Sequence, residues 1–434
     1  MRVVVTESPS DLAEQAASLL QATALRQGGL WVTASSGPLE TQILDTWAER
    51  IDARTREAVR LDRVPSAGGT ATSSDGWKDD PGDMSAPRVS LLGIGPSGEL
   101  GSLSIGDRFH PPAEAGGAGC PAASCLGSDS LIAVASGAEA AEAVARALEG
   151  DVDESCPASF VQLHPDAMIV LDESAASRLS GRSLRRDAGD IEVIDASKYR
   201  DLSFVVLSPH PDDTSVSCGG LVDQIADHNR VVSFLMCSGH HADIPGTSTA
   251  EERRQIRLKE AEAEAKRLRA GVVSLDLGFY DHRYAYLGED ARRLTEMLLE
   301  YRADIVLAPS ERDRHPAHAI TRVLAQEAMK RYVRDHRGDQ GAELWGFEGP
   351  WGLFDRLDFN VVVPVSAENH EVKLAALREH RSQIERLPYD EVATQFSQYR
   401  ALLVPELRLT TYGRKGQSIG SHVELFRRET LRWA

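Results

Sequence analysis

The sequence predicts an α/β protein of two domains, each a mainly parallel sheet flanked by helices in a Rossmann-like arrangement. Three observations predict it. The chain has 434 residues, more than one domain of ordinary size needs. Apolar runs of strand length alternate with amphipathic runs of helix length, as strand–helix–strand layering requires. That rhythm lapses around residues 180–198, where "SGRSLRRDAGDIEVIDASKY" is charged and lacks apolar periodicity. The lapse places the boundary between a domain at 1–185 and a domain at 196–434.

In the first domain "RVVVT" reads as a strand and "SPSDLAEQAASLLQATALRQ" as the helix after it, with a Ser/Asp start. "GLWVTASSGPLETQILDTWAERI" reads as strand, Gly/Ser turn and helix. Residues 65–87 are rich in Gly, Ser, Asp and Pro and read as a mobile loop. "RVSLLGIGPSGELGSL" is a strand running into a glycine-rich turn, and 110–127 is a second irregular loop. "DSLIAVASGAEAAEAVARALEG" and "DAMIVLDESAASRL" each read as a strand and then a helix. The second domain opens with the strand "LSFVVL" and continues with the strand "RVVSFLMCS". A charged helix, "AEERRQIRLKEAEAEAKRLRAG", then precedes the strand "VVSLDLGF". "ARRLTEMLLEYRA" is a helix and "DIVLAPS" the strand that follows it. Towards the end, "ELWGFEG" and "FNVVVPVS" read as strands and "SAENHEVKLAALREHRSQIERL" as helix.

Composition excludes several classes. Hydrophobic residues make up 42% of the chain, enough for sizeable cores. The net charge of −18 argues against a nucleic-acid binder, which usually carries a basic face. "MRVVVTESPS" lacks the basic start and long apolar stretch of a signal peptide, and no run is long enough to span a membrane. The five cysteines are odd in number and form no CxxC pair, against a disulfide framework or a thiolate zinc site. A cytoplasmic location is the expectation.

In an open α/β sheet, ligands bind beyond the C-terminal ends of strands. His210-Pro211-Asp212-Asp213 sits at such an end. "DIVLAPS" leads into "ERDRHPAHAITRVLAQEA", where His315 and His318 are three apart. If Pro316 begins a helix, both histidines face one side of its first turn. Three histidines with several carboxylates suit a mononuclear zinc site that keeps one position open for water. The ion acidifies that water, and a nearby carboxylate can deprotonate it. Each motif alone also reads as a capped turn or a solvated helix start. His240 and His241 follow a strand and read as loop histidines. Arg257 and Glu260 lie in a Lys/Glu-rich run and read as solvated charges. Arg257 and His240 are also the candidates for contacting a substrate.

"SPHPDDTSVSCGG" followed by "HPAH" resembles the PIG-L/LmbE-like de-N-acetylases, whose signature is a strand ending in HPDD, a following GG and a later HPxH. "IRLKEAEAEAKRL" and "KLAALREHRSQ" are softer matches, and the resemblance covers roughly residues 200–400. It implies the PIG-L/LmbE deacetylase fold for the second domain. It also implies His210, Asp213 and His318 as zinc ligands, Asp212 as general base, and His315 as the acid or electrophile that polarises the amide oxygen. Another divalent ion such as Fe²⁺ could fill the same site. Thr214 stands where the family usually has an acid, which predicts altered support around the metal. Asp313 stands where some members carry an aromatic donor.

Residues 1–178 resemble the glucosamine-6-phosphate deaminase/6-phosphogluconolactonase fold. "GAEAAEAVARALEGDVDESCPASFVQLHPDAMIVLDESAA" carries that resemblance most clearly. Its departures fall on the chemistry. Ser97 and Glu99 stand at the catalytic Asp and His, Ala140 at a phosphate-binding Lys, and Ser35 and Ser36 at glycines of the phosphate loop. A phosphate cradle needs donors and positive charge, and these substitutions remove both. A degenerate, catalytically silent domain is the expectation.

Together these readings predict a zinc-dependent hydrolase that removes an N-acetyl group from a small amino-sugar derivative. An amidase of a larger conjugate and a non-enzymatic sugar-binding or scaffold protein are the alternatives.

Overall fold

The computed structural model describes residues 1–27, 30–35, 37–51, 59–64, 88–107, 109, 128–164, 166–182, 184–350, 352–354, 358–411 and 420–434. The expected loops at 65–87 and 110–127 lie outside them. The chain divides into two compact units, Met1–Ser183 with Ala285–Gly288, and Leu184–Tyr284 with Glu289–Ala434.

The first unit contains β1 (Arg2–Thr6), α1 (Pro9–Gln27), β2 (Leu30–Ser35), α2 (Pro38–Ala48), β3 (Val59–Val64), β4 (Arg88–Gly93), β5 (Ser130–Ala135), α3 (Ala141–Glu149), β6 (Ala167–Asp172) and α4 (Glu173–Ala176). Its sheet runs in the order β1-β6-β5-β4-β2-β3, with every pairing parallel. Leu12, Ala16 and Leu20 recur every four residues on α1 and are fully buried. That spacing lays one helix face on the sheet. The "PASFVQLH" segment is structural. Gln162 donates to the carbonyls of Ala147 and Gly150 at the end of α3, and the buried His164 lies 3.0 Å from the carbonyl of Ser128.

The second unit contains β7 (Leu184–Asp187), β8 (Glu192–Val193), β9 (Ser203–Ser208), α5 (Asp213–Ile225), β10 (Arg230–Leu235), α6 (Ala250–Arg267), β11 (Gly271–Ser274), α7 (Gly288–Glu300), β12 (Ile305–Pro309), α8 (Pro316–Tyr332), β13 (Ala342–Phe347), β14 (Val361–Val365), α9 (Ala367–Leu377), α10 (Arg381–Ile384), α11 (Tyr389–Thr411) and β15 (His422–Trp433). The sheet order is β11-β10-β9-β12-β13-β15-β14-β8, and β7 pairs with β15. β11 through β13 are parallel, and β15 runs antiparallel to its neighbours. Helices cover both faces of such a parallel sheet, so β9 is buried at every residue and reads as a continuous apolar run.

Two stretches of the chain differ from the expectation. The charged stretch at 180–198 supplies β7 and β8, two strands of the second sheet. β7 is mostly exposed, so it carries no apolar alternation and depends on backbone pairing with β15. "HVELFRRETLRW" forms the twelve-residue β15 between β13 and β14, a strand absent from the sequence reading.

Gly219-Gly220 explains itself in α5. The helix is kinked at Cys218 (φ −137°, ψ 18°). The Glu424 carboxylate accepts from the N–H groups of Gly220 (2.9 Å) and Leu221 (2.8 Å), and Lys373 Nζ binds it at 2.7 Å. A Cβ at Gly220 would lie 2.8 Å from Val365 Cγ1, closer than packed atoms approach. The glycine pair admits a buried ion pair that satisfies donors freed by the kink.

Candidate metal centre

β9 and β12 are adjacent, but the chain leaves them on opposite sides: β10 and β11 lie beyond β9, and β13 beyond β12. The strand order reverses between them. A crevice opens at such a point beyond the strand ends. Both motifs lie there, one after each strand.

Pro209 ends β9, and Asp212 sits at the N-cap of α5. Ser208 Oγ donates to the His210 carbonyl (2.7 Å), and Asp213 Oδ2 accepts from the His210 N–H (2.7 Å). These bonds fold HPDD into a turn that points both carboxylates inward. After β12, His315 is the N-cap of α8 and Pro316 its first residue, so His318 returns to the same side one turn later.

His210 Nδ1, Asp213 Oδ2 and His318 Nε2 form a triangle with edges of 3.2, 3.2 and 3.3 Å. Ligand bonds of about 2.0–2.1 Å in a tetrahedron put donor atoms about 3.3 Å apart. The donor set and its spacing fit one zinc-sized ion. His315 adds a third imidazole, its ring 4.9 Å from those of His210 and His318. Burial lowers the basicity of His318, but Asp213 and Asp313 overcome it and push the pKa up to about 10. The pocket favours a cation, whether proton or metal. Burial, then His210 and His318, push His315 down to about 4.

The structure corrects the reading of Arg257 as a solvated charge. Its side chain is 2% exposed and donates to Asp212 Oδ1 at 2.6 Å. Burial alone would raise the Asp212 pKa, but Arg257 outweighs it and the carboxyl is held below its ordinary range. Glu260 is likewise mostly buried. Its carboxylate lies 3.5 Å from Arg257 Nη1 and accepts from the Ser382 N–H (2.8 Å) and Oγ (2.7 Å). Glu264 accepts from the Ser215 N–H (2.8 Å) and lies 3.5 Å from the buried His380. One face of α6 thus braces the HPDD turn. The three- and four-residue spacing of Arg257, Glu260 and Glu264 puts them on one helix face, as in any charged helix, and does not by itself show that the face is buried.

Asp313 stands in a role the sequence did not show. Its side chain is fully buried, binds His318 Nδ1 at 2.7 Å and accepts from the His315 N–H at 3.0 Å. A carboxylate on the far nitrogen orients a ligand imidazole and fixes which nitrogen faces the metal. Thr214 is buried and lies 3.0 Å from the Ser233 hydroxyl. His240 is buried too, with Nδ1 2.6 Å from Ser238 Oγ and Nε2 3.1 Å from Asp281 Oδ1.

Residues 205–329 match the PIG-L family, described as GlcNAc-PI de-N-acetylase. This stretch is a PIG-L domain. It includes His210, Asp212, Asp213, His240, Arg257, His315 and His318. The chain also resembles solved structures. N,N'-diacetylchitobiose deacetylase from Pyrococcus horikoshii is 22% identical, with 52% of this chain and 82% of that one covered and a TM-score of 0.42. The 4-carboxy-2-hydroxymuconate hydratase GalB from Pseudomonas putida is 19% identical, with 52% and 95% covered and a TM-score of 0.42. Outside the PIG-L domain, the N-terminal region is 48% identical over 58 residues to glucosamine-6-phosphate deaminase from Bifidobacterium longum. That match takes in 13% of this chain and spans only 22% of the deaminase.

The first unit has its own strand-order reversal, between β2 and β4. The buried Glu40, in the first turn of α2, points its carboxylate there. It accepts from Ser35 Oγ, and a Cβ on Gly93 would lie 2.6 Å from its Oε1. Asp172 is spent on Ser136 Oγ (2.6 Å) and the N–H groups of Gly137 and Ala175. Ser97 donates its N–H to Glu99 (3.1 Å), and Ala140 is buried. Ser36 lies outside the described residues.

Proposed function

We propose that the protein is a metal-dependent hydrolase that removes an N-acetyl group from a small amino-sugar derivative. The observation that carries this reading is the His210–Asp213–His318 triangle, with edges suited to a zinc-sized ion, beside a buried and ionised Asp212. His210, Asp213 and His318 hold the ion, zinc or a related divalent metal such as Fe²⁺. When bound, it polarises the amide carbonyl and acidifies water.

Asp212 is the general base. Arg257 occupies its Oδ1, which leaves Oδ2 to take the proton of the attacking water and later deliver it to the departing amine. His315 offers an N–H to the oxygen that becomes negative. Arg257 acts through Asp212 by holding it ionised and fixed in place. The amino-sugar class rests on the PIG-L match at 205–329. The first unit is read as catalytically silent, because Ser97, Glu99 and Ala140 stand where the resembled family carries its reacting and phosphate-binding groups, and the Glu40 carboxylate adds negative charge between Gly37 and Gly93.

A screen of N-acetylated amino sugars for acetate release, with metal counted per chain, tests the reading. The protein should carry about one tightly held divalent ion. His210→Ala and His318→Ala should each lose it. Asp212→Asn should keep it and lose turnover by about 10²–10⁴-fold. Full tight-ion occupancy in both histidine variants, or near-normal turnover in Asp212→Asn, would overturn the assignment.

A further inference from the structure

Among the described residues a second group of metal-ligating side chains lies outside the triangle: His240, His241 and Asp281, with one donor atom from each within 4.8 Å of the others. We propose that these three residues bind a second, weaker divalent ion of the imidazole-preferring transition series. Asp281 Oδ1 is the common point, 3.1 Å from His240 Nε2 and 3.6 Å from His241 Nε2. Two imidazoles and one carboxylate oxygen favour zinc, copper, nickel or cobalt over magnesium or calcium, which prefer oxygen-only shells.

Three features pre-arrange this group. Gly239 takes a left-handed φ of +66° and turns the chain so that consecutive histidines approach one carboxylate. A Cβ there would lie 3.1 Å from Arg257 Nε and 3.3 Å from Pro211 Cδ, so the turn is seated against the braced HPDD loop. Ser238 Oγ, 2.6 Å from His240 Nδ1, can accept that nitrogen's proton and leave the Nε2 lone pair facing Asp281. His241 stacks on Tyr280 with ring centroids 4.2 Å apart and planes 17° apart, which limits its rotation. Arg254 approaches His240, but its charge is engaged by Glu251 (3.1 Å) and Asp276 (3.2 Å).

The site is adjacent to the first one. The Tyr280 ring that stacks on His241 is also 5.0 Å from the ring of His240 and 6.4 Å from that of His210. It is the weaker site because the side chains of His241 and Asp281 are 48% and 61% exposed. Water competes there for both donors. The exposed side also leaves coordination positions open to water or to polar groups of a substrate.

Titration of metal-stripped protein with Zn²⁺, followed by calorimetry and by counting bound metal after dialysis, tests the proposal without an activity assay. Wild-type protein should bind two ions per chain, one tight and one weak. Asp281→Asn and His241→Ala change exposed side chains and should keep the fold. Each should weaken the second ion by at least about tenfold and leave the tight ion unchanged. The double variant His210→Ala/His318→Ala should lose the tight ion and retain the weak one. A single ion in wild-type protein, or a weak ion unaltered in both Asp281→Asn and His241→Ala, would overturn the second site. Mg²⁺ filling it as tightly as Zn²⁺ would overturn its chemical class. A tight ion that survives in the double histidine variant counts against the first site alone, so the two assignments fail separately.

Discussion

Arg257 donates to Asp212 across 2.6 Å, and the two side chains are 2% and 11% exposed. The pair unites a residue of α6 with the proposed base at the start of α5. Removing the arginine leaves a buried carboxylate without its countercharge, which typically costs about 3–5 kcal/mol. The Asp212 pKa should then rise, because Arg257 is what outweighs burial. In the proposed mechanism the ionised carboxylate is the active form, so activity should be present above its pKa and lost as pH falls through it. Arg257→Ala should therefore move the acid limb of the kcat/KM profile to higher pH and lower the urea midpoint. Arg257→Lys should recover part of both. An acid limb unmoved in Arg257→Ala would separate this arginine from the base.

Asp313 should control metal affinity without touching the ion. It binds His318 Nδ1 at 2.7 Å and the His315 N–H at 3.0 Å. Loss of such a partner typically weakens metal binding by about 10–100-fold. Asp313→Asn keeps the shape and removes the charge. Competition with a chelator should show the weaker binding, while the far-ultraviolet spectrum stays that of the wild type.

A stacked histidine pair should give the fold an acid limb of its own. His370 and His422 lie 3.8 Å apart, and His370 Nε2 is 3.2 Å from Thr394 Oγ1. Burial, then His422 and Lys373, push His370 down to about 4. Its unfolded value is about 6.5, so between those values the unfolded chain binds more protons. The stabilisation is complete above about pH 6.5 and is lost as pH falls towards 4, with a slope of up to about 1.4 kcal/mol per pH unit. His370→Gln should flatten that part of the stability profile relative to wild type in urea titrations from pH 7 to pH 4. Parallel profiles would exclude His370 as a source.

The first unit should not turn over sugar phosphates. Glu40 holds a carboxylate between Gly37 and Gly93, and Ala140 offers no donor. One lost charge-assisted contact to phosphate costs roughly 1.5–3 kcal/mol. No ammonia should be released from glucosamine-6-phosphate, and calorimetry should detect no binding of it. Deaminase turnover that persists in His210→Ala would show the first unit to be active.

Local features carried much of this protein in its sequence. Strand–helix alternation marked both sheets, and the apolar run before HPDD marked β9, because burial on both faces leaves a continuous hydrophobic signal. HPDD and HPAH marked where histidines and carboxylates gather at two strand ends, because proline and aspartate there shape turns and caps within a few residues. The PIG-L match at 205–329 agrees with the resemblance those motifs carried.

What tertiary structure decided is long-range. Arg257 lies 45 residues from Asp212, and its periodicity is that of any charged helix, so only packing shows that it is buried. Asp313 reads as one acid in "ERDRH" until the first turn of α8 brings His318 back over it. Glu424 is 204 residues from the Gly220 N–H it satisfies. β7 has no apolar alternation because it is mostly exposed, and its place is set by hydrogen bonds to β15 near the other end of the chain. Spacing along a chain encodes which face a side chain occupies. Which distant charge meets that face is settled by how strands are ordered and helices cross, and no short window of sequence contains that.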